Sequence, residues 1–228
     1  MNRTDYTNLA KGWEFIEDTA YAAEPPALHR LRRQCTDAGF TQGSAAQAGF
    51  LAMQARQLKA RSVIVLGSGS VVESAHLLEA LESNDPDVSG QLTTVDSSAQ
   101  GTSLIRRVFS GVQDGVRTKL RVVNAKPSVY FPRLNAGDYD LIVINGENVN
   151  YESALDHAHR LLRVGGELVM CDVLAVDVEG SRGGLLDPAD HGDKATHMRQ
   201  LIDETLQDER FVSCIVPIGT GMLLSIKQ

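Results

Sequence analysis

Disulfide scaffolds, membrane spans and nucleic-acid footprints each need residues that this chain has little of. Its 228 residues include three cysteines, Cys35, Cys171 and Cys214, far apart and without a CxxC pair. That excludes a disulfide framework and a zinc knuckle and points to free thiols in a reducing compartment. No apolar run approaches the length of a membrane span. The start, MNRTDYTNLAKGWEF, has no apolar signal core, so a cytoplasmic protein is expected. Basic residues number 22 against 29 acidic ones, for a formal net charge of −7. Nucleic acids and anionic membranes demand the opposite excess, so neither is an expected partner. The cluster Arg30, Arg32 and Arg33 is the local exception. Internal repeats and low-complexity tracts are also missing.

What remains is an ordinary globular composition, 43% hydrophobic and 22% charged, long enough for one sizeable core. Residues 1–60 read as helical. Leu28, Leu31 and Cys35 recur at helical spacing after Pro25-Pro26, and Phe50, Leu51, Gln54 and Leu58 do so after Gly39 and Gly43. This helical segment is expected to pack on a second unit, residues 61–228, within one domain. From Ser62 onward, short β-branched runs alternate with amphipathic stretches. The predicted strands are 63–66, 92–95, 120–123, 141–144 and 167–170, with helices near 72–83, 98–113, 127–134 and 151–163. Such alternation predicts an α/β fold with a parallel sheet covered on both faces. A helix is expected over 191–207. FVSCIVPI and GMLLSIK then follow with too little chain between them for a parallel crossover, so they predict an antiparallel hairpin. The glycine-rich stretch from Ala175 to Asp190 is a candidate lid.

The motif VIVLGSGSVVE, residues 63–73, ends a strand in two glycines. A dinucleotide fingerprint would carry a third glycine near Val71 and Val72, so a pyrophosphate is disfavoured. Asp96 lies at the tip of the second strand, where a carboxylate accepts ribose hydroxyls. The pair suggests a nucleoside site without phosphates, such as the adenosyl part of S-adenosylmethionine. The competing structural reading is a tight turn plus an acid that caps the next helix. A nicotinamide-type oxidoreductase is disfavoured by the missing glycine, by the spacing from Gly67 to Asp96 and by the terminal hairpin.

The blocks ARSVIVLGSGSVVE, LTTVDSSAQ, YDLIVINGENVNY, RLLRVGGELVMCDVL and DERFVSCIVPIGTGMLLSIK resemble the catechol-type class I S-adenosylmethionine-dependent O-methyltransferases of bacteria, from about Ser44 to Lys227. The resemblance implies a Rossmann-like, seven-stranded sheet with an antiparallel last strand. It implies S-adenosylmethionine as cofactor, contacted by Gly67, Ser68, Gly69 and Ser70, with Asp96 and Ser97 at the ribose. Adenine would lie near Ala125, Lys126 and Pro127, and Asn145 would also border the cofactor. A small hydroxylated molecule would be the acceptor, and N-terminal helices would cover the cofactor mouth and help to build a homodimer. The family has an acid where Val65 stands and a glycine where Val71 stands.

In that family a divalent metal held at the ends of the fourth and fifth strands aims the acceptor hydroxyl at the methyl group, and a lysine assists deprotonation. Here Asn145 replaces the first metal carboxylate, Asn148 the lysine and Cys171 the second carboxylate, while Asp172 falls where an asparagine belongs. Magnesium wants hard oxygen ligands. The resemblance thus implies a degenerate metal site, with Asn145, Glu147 and Asp172 as catalytic candidates and Glu147 or Asp172 as general base. A non-catalytic descendant that kept the fold as a ligand-binding or interaction module is the alternative. The string DPADHGD, with Asp187, Asp190, His191 and Asp193, reads as a solvated loop whose Asp190 or Asp193 caps the next helix. His76 reads as a surface or packing residue, and His157 and His159 face different directions on a predicted helix.

Overall fold

The fold is described from a computed structural model covering residues 3–84, 87–146, 148–176 and 183–228. Three helices come first: α1 (Arg3–Ala23), α2 (Pro26–Asp37) and α3 (Ala45–Gln57). Proline at the first position of α2 loses no bond there, because a helix's first N–H groups lack intrahelical partners. The Ser44 side chain caps α3 by accepting from the Gln47 N–H at 3.1 Å.

The remaining chain alternates as β1 (Ser62–Leu66), α4 (Val71–Asn84), β2 (Gln91–Asp96), α5 (Ala99–Ser110), β3 (Lys119–Asn124), α6 (Pro127–Tyr130), β4 (Tyr139–Ile144), α7 (Asn148–Leu161), β5 (Leu162–Cys171), α8 (Asp193–Gln207), β6 (Phe211–Val216) and β7 (Met222–Lys227). The seven strands form one sheet in the order β3-β2-β1-β4-β5-β7-β6. β1 to β5 run parallel, and β7 is antiparallel to both of its neighbours. This is the Rossmann-like arrangement expected from the sequence. Two predicted helices are shorter than expected. Gly111 ends α5 early, and α6 gives way after Tyr130 to a tight turn around Pro132, whose ring cannot donate a helical bond.

Strand residues alternate strictly between two apolar layers. Val63, Val65, Leu141, Val143, Val169 and Cys171 pack on one face with α3, α4 and α5. Ile64, Leu66, Ile142, Ile144, Leu168 and Met170 pack on the other with α7 and α8. Burial on both sides explains the continuous apolar runs of the central strands. It also fixes the register, since a slip of one residue would exchange the two layers. All strand C-termini of the parallel part therefore end on one edge, where their loops meet. The lid candidate is described only at its two ends, because 177–182 lie outside the described residues.

Candidate functional site

Chain order reverses between β1 and β4, and this switch point opens a crevice at the strand C-termini. Gly67 leaves β1 with φ +90°, and a Cβ there would stand 2.7 Å from the Asn145 carbonyl oxygen at the end of β4. Only glycine admits both the conformation and the approach. At Gly69 a Cβ would come within 3.1 Å of the Thr41 carbonyl. The loop thus lies between the β4 tip and the segment that links α2 to α3.

That segment supplies Gln42, which no sequence pattern marks. Its Oε1 accepts from the N–H groups of Val71 (2.8 Å) and Val72 (3.1 Å), and its Nε2 donates to the Ser68 carbonyl at 3.1 Å. A carboxamide therefore occupies the start of α4, where a dinucleotide fold would place a phosphate. Val71 is buried in the apolar layer beneath, which leaves no role for a third glycine.

Asp96 ends β2. Its Oδ2 accepts from the Ser68 N–H and its Oδ1 from the Ser98 N–H, both at 2.6 Å. The Asp96 carbonyl accepts from the Ala125 N–H and from Asn124 Nδ2, each at 3.1 Å. Asp96 thus ties the glycine loop to the β2 and β3 tips. Ser97 and Lys126 are exposed, Ala125 is half-buried and Pro127 is buried at the start of α6. Ser70 is buried, and its Oγ has no partner among the described residues.

On the other side of the loop lies a polar cavity of about 220 Å³. Thr41, Gln42 and Gly43 line one wall, Gly69 and Asn145 another, and Asp172 and Lys194 a third. Gly69, Asn145 and Asp172 thus line one cavity, whereas Asp96 does not line it. Asn145 Oδ1 accepts from the Gly146 N–H at 2.8 Å, and its carbonyl accepts from Asn150 Nδ2 at 3.0 Å. Glu147 lies outside the described residues.

Asp172 follows β5 with φ +54°, a left-handed conformation uncommon for a non-glycine residue. Its Oδ2 accepts a hydrogen bond from the Lys194 ammonium, and its Oδ1 is buried without a partner. Both side chains are about 15% exposed or less. Lys194 comes from the first turn of α8 and was not a sequence candidate. No local pattern marks it, because its partner is 22 residues away.

Cys171 is fully buried, and burial pushes its thiol well above the ordinary range. Tyr151 closes the floor, donating from Oη to the Cys171 carbonyl at 2.8 Å. The described residues here do not fit a magnesium ion. One amide oxygen is engaged by Gly146, one carboxylate is already paired with an ammonium, and the thiol is held neutral. No three His, Cys, Asp or Glu side chains cluster for a metal among the described residues.

Behind the cavity, Glu73 of α4 is wholly buried. Gln47 Nε2 donates to its Oε1 at 2.9 Å, and its Oε2 has no partner. Burial raises its carboxyl to about 7. Two expectations need correction. Asp190 is buried rather than solvated, and it caps no helix. Its carboxylate accepts from the N–H groups of Gly184 and Gly192, both at 2.9 Å, while Gly192 itself precedes α8 with no side-chain cap. Arg32 belongs to no free basic patch, since it holds buried Glu24 at 2.6 and 2.8 Å. His76 joins that buried group, 3.3 Å from Glu24.

Three comparisons bear on this architecture. A family model described as O-methyltransferase matches residues 17–228. A Mycobacterium tuberculosis relative named "Probable O-methyltransferase" is 25% identical over 206 residues, which is 90% of this chain and 87% of that one. A Corynebacterium glutamicum crystal structure superposes with a TM-score of 0.78 at 18% identity, covering 95% of this chain and 97% of its own. The O-methyltransferase TomG of Streptomyces achromogenes, solved with S-adenosylmethionine, superposes with a TM-score of 0.75 at 18% identity over 96% and 98% of the two chains.

Proposed function

The chain belongs to the O-methyltransferase family, and from that premise we propose that it methylates a hydroxyl of a small molecule with S-adenosylmethionine and without a bound metal. The observation that carries this reading is the crevice between β1 and β4. It has a glycine loop and Asp96 on one side, and a polar cavity with Asn145, Asp172 and Lys194 on the other.

The cofactor fits the first side. Asp96 engages its backbone partners with one bond per oxygen, and a carboxylate has lone pairs beyond these for ribose hydroxyls. Gly67 and Gly69 let a ligand approach the backbone, while Ala125, Lys126 and Pro127 border the neighbouring strand tip. Ser68, Ser70 and Ser97 complete this side. When bound, S-adenosylmethionine supplies an electrophilic methyl group. The chain's own residues then have to bind the acceptor, exclude water and take up the proton of its hydroxyl. Asn145 borders both halves and orients the ligands. Asp172 takes part in proton uptake.

Calorimetry with S-adenosylmethionine and S-adenosylhomocysteine tests this reading. Saturable binding that weakens in Asp96→Ala is expected. No heat and no thermal shift at millimolar ligand would sink it.

The same reading extends to assembly and setting. Helix α1 exposes the apolar side chains Leu9, Phe15, Ile16 and Tyr21, which suit contact with a second copy of the chain. A homodimer is expected in sedimentation experiments, and a monomer at all concentrations contradicts it. The helical segment 1–60 and the sheet unit 61–228 are expected to melt in one transition. Free Cys35, Cys171 and Cys214 suit a reducing cytoplasm. No helix among the described residues is long and apolar enough to cross a membrane.

A further inference from the structure

We propose that Lys194 is the catalytic cation of this site: its ammonium, anchored by Asp172, binds the acceptor's hydroxyl oxygen and carries the charge that relatives assign to a metal. This rests on the methyl-transfer reading above.

Four observations converge on the pair. Lys194 and Asp172 line the same cavity as Asn145 and Gly69. An ammonium has three donors, and among the described residues Asp172 takes one of them, which leaves two for a ligand. A cation in the first turn of α8 opposes the helix dipole, so its place there does not serve the helix. Asp172 holds its position at φ +54°, the kind of backbone outlier that persists where surrounding structure enforces it. The buried, unpartnered Oδ1 of Asp172 is a second acceptor at the base of the same pair.

The chemistry follows from charge. A phenol-type hydroxyl ordinarily ionises near the tyrosine value of about 10. An ammonium in hydrogen-bond contact favours the ionised form. In one relay the Lys194 ammonium gives a proton to Asp172, and the nitrogen lone pair so freed takes up the hydroxyl's proton as its O–H bond breaks. The oxygen keeps the electron pair and bonds the methyl carbon. The carbon–sulfur bond breaks with its electrons left on sulfur. One proton remains on the pair and leaves to solvent with the product. No divalent ion enters this sequence, in keeping with the donors present at Asn145, Cys171 and Asp172.

The test uses the full chain and 4-nitrophenol, whose absorbance distinguishes its ionised from its neutral form. It is titrated just below the probe's own pKa, with and without S-adenosylhomocysteine, in excess EDTA. Wild type is expected to bind the probe in its ionised form. Lys194→Met is expected to lose the spectral shift and to bind at least ~10-fold more weakly, while Lys194→Arg restores much of it. If Lys194→Met does not fold, Lys194→Gln, which can still donate to Asp172, carries the comparison. A neutral bound probe, no bound probe, a shift that persists without the lysine, or a shift that requires added Mg²⁺ would each overturn the proposal. Loss of S-adenosylhomocysteine binding in wild type would instead strike the cofactor reading, since the probe is also read without it.

Discussion

The two sides of the crevice are built differently. On the cofactor side, Asp96 accepts from two backbone N–H groups and joins elements that are neighbours in the sheet. On the acceptor side, Asp172 is held by one side chain that arrives from a helix after β5. Backbone donors come with any sequence, so the first arrangement needs little beyond Asp96 and small residues around it. A lysine partner has to be delivered by the fold. The lesson is that one side of a crevice can be held by backbone donors while the other depends on a side-chain pair far apart in sequence.

The largest expected effect tests that division directly. Lys194→Met should lower methyl transfer by ~10²–10⁴-fold, the usual range for a lost proton-handling group, with S-adenosylmethionine affinity unchanged. Turnover at saturating cofactor and calorimetry measure the two halves separately. If both fell together, the division would fail.

Next comes the carboxylate behind the cavity. Asp172 accepts from an ammonium, whereas Glu73 accepts from the amide of Gln47 and keeps Oε2 without a partner among the described residues. Burial raises Glu73 from 4.5 to about 7 in the folded chain. Its folded pKa lies above its unfolded value, so the stability it contributes is fully present below pH 4.5. That contribution is lost as pH rises through about 7. Glu73→Gln should therefore stabilise the protein above neutral pH by up to about 3 kcal/mol and change little at acid pH. Urea unfolding on either side of neutrality checks the sign.

A smaller effect is expected at Asp96. Asp96→Ala should weaken S-adenosylmethionine binding by about 10–100-fold, the worth of one charge-assisted pair of hydrogen bonds. The 4-nitrophenol shift at Lys194 should persist. The smallest effect belongs to the scaffold that both sides share. Ser44 caps α3 and donates to Glu17 Oε1 at 3.0 Å. Ser44→Ala should cost about 1 kcal/mol in thermal unfolding and leave both binding readouts in place.

Much of this was legible before any coordinates. The strand cores of β1 to β5, the terminal hairpin and the glycine loop followed from periodicity and turn chemistry, which act over a few residues. Asp96 stood out because it ends a strand near a glycine turn. The helix ends were less legible at 110–113 and 131–134, where Gly111 and Pro132 stop helices that hydrophobic spacing alone would extend. Asp190 was misread because an acidic loop looks solvated until its backbone partners are known.

By itself, then, the sequence determined the layers of the sheet, the place of the crevice and the carboxylate at the tip of β2. The tertiary structure alone decided that Gln42 caps α4, that Glu73 is buried against Gln47, and that Lys194 meets Asp172. The first set depends on local backbone preference and on which side chains avoid water. The second depends on pairs 22 to 30 residues apart, whose meeting is fixed only when the helices close over the sheet.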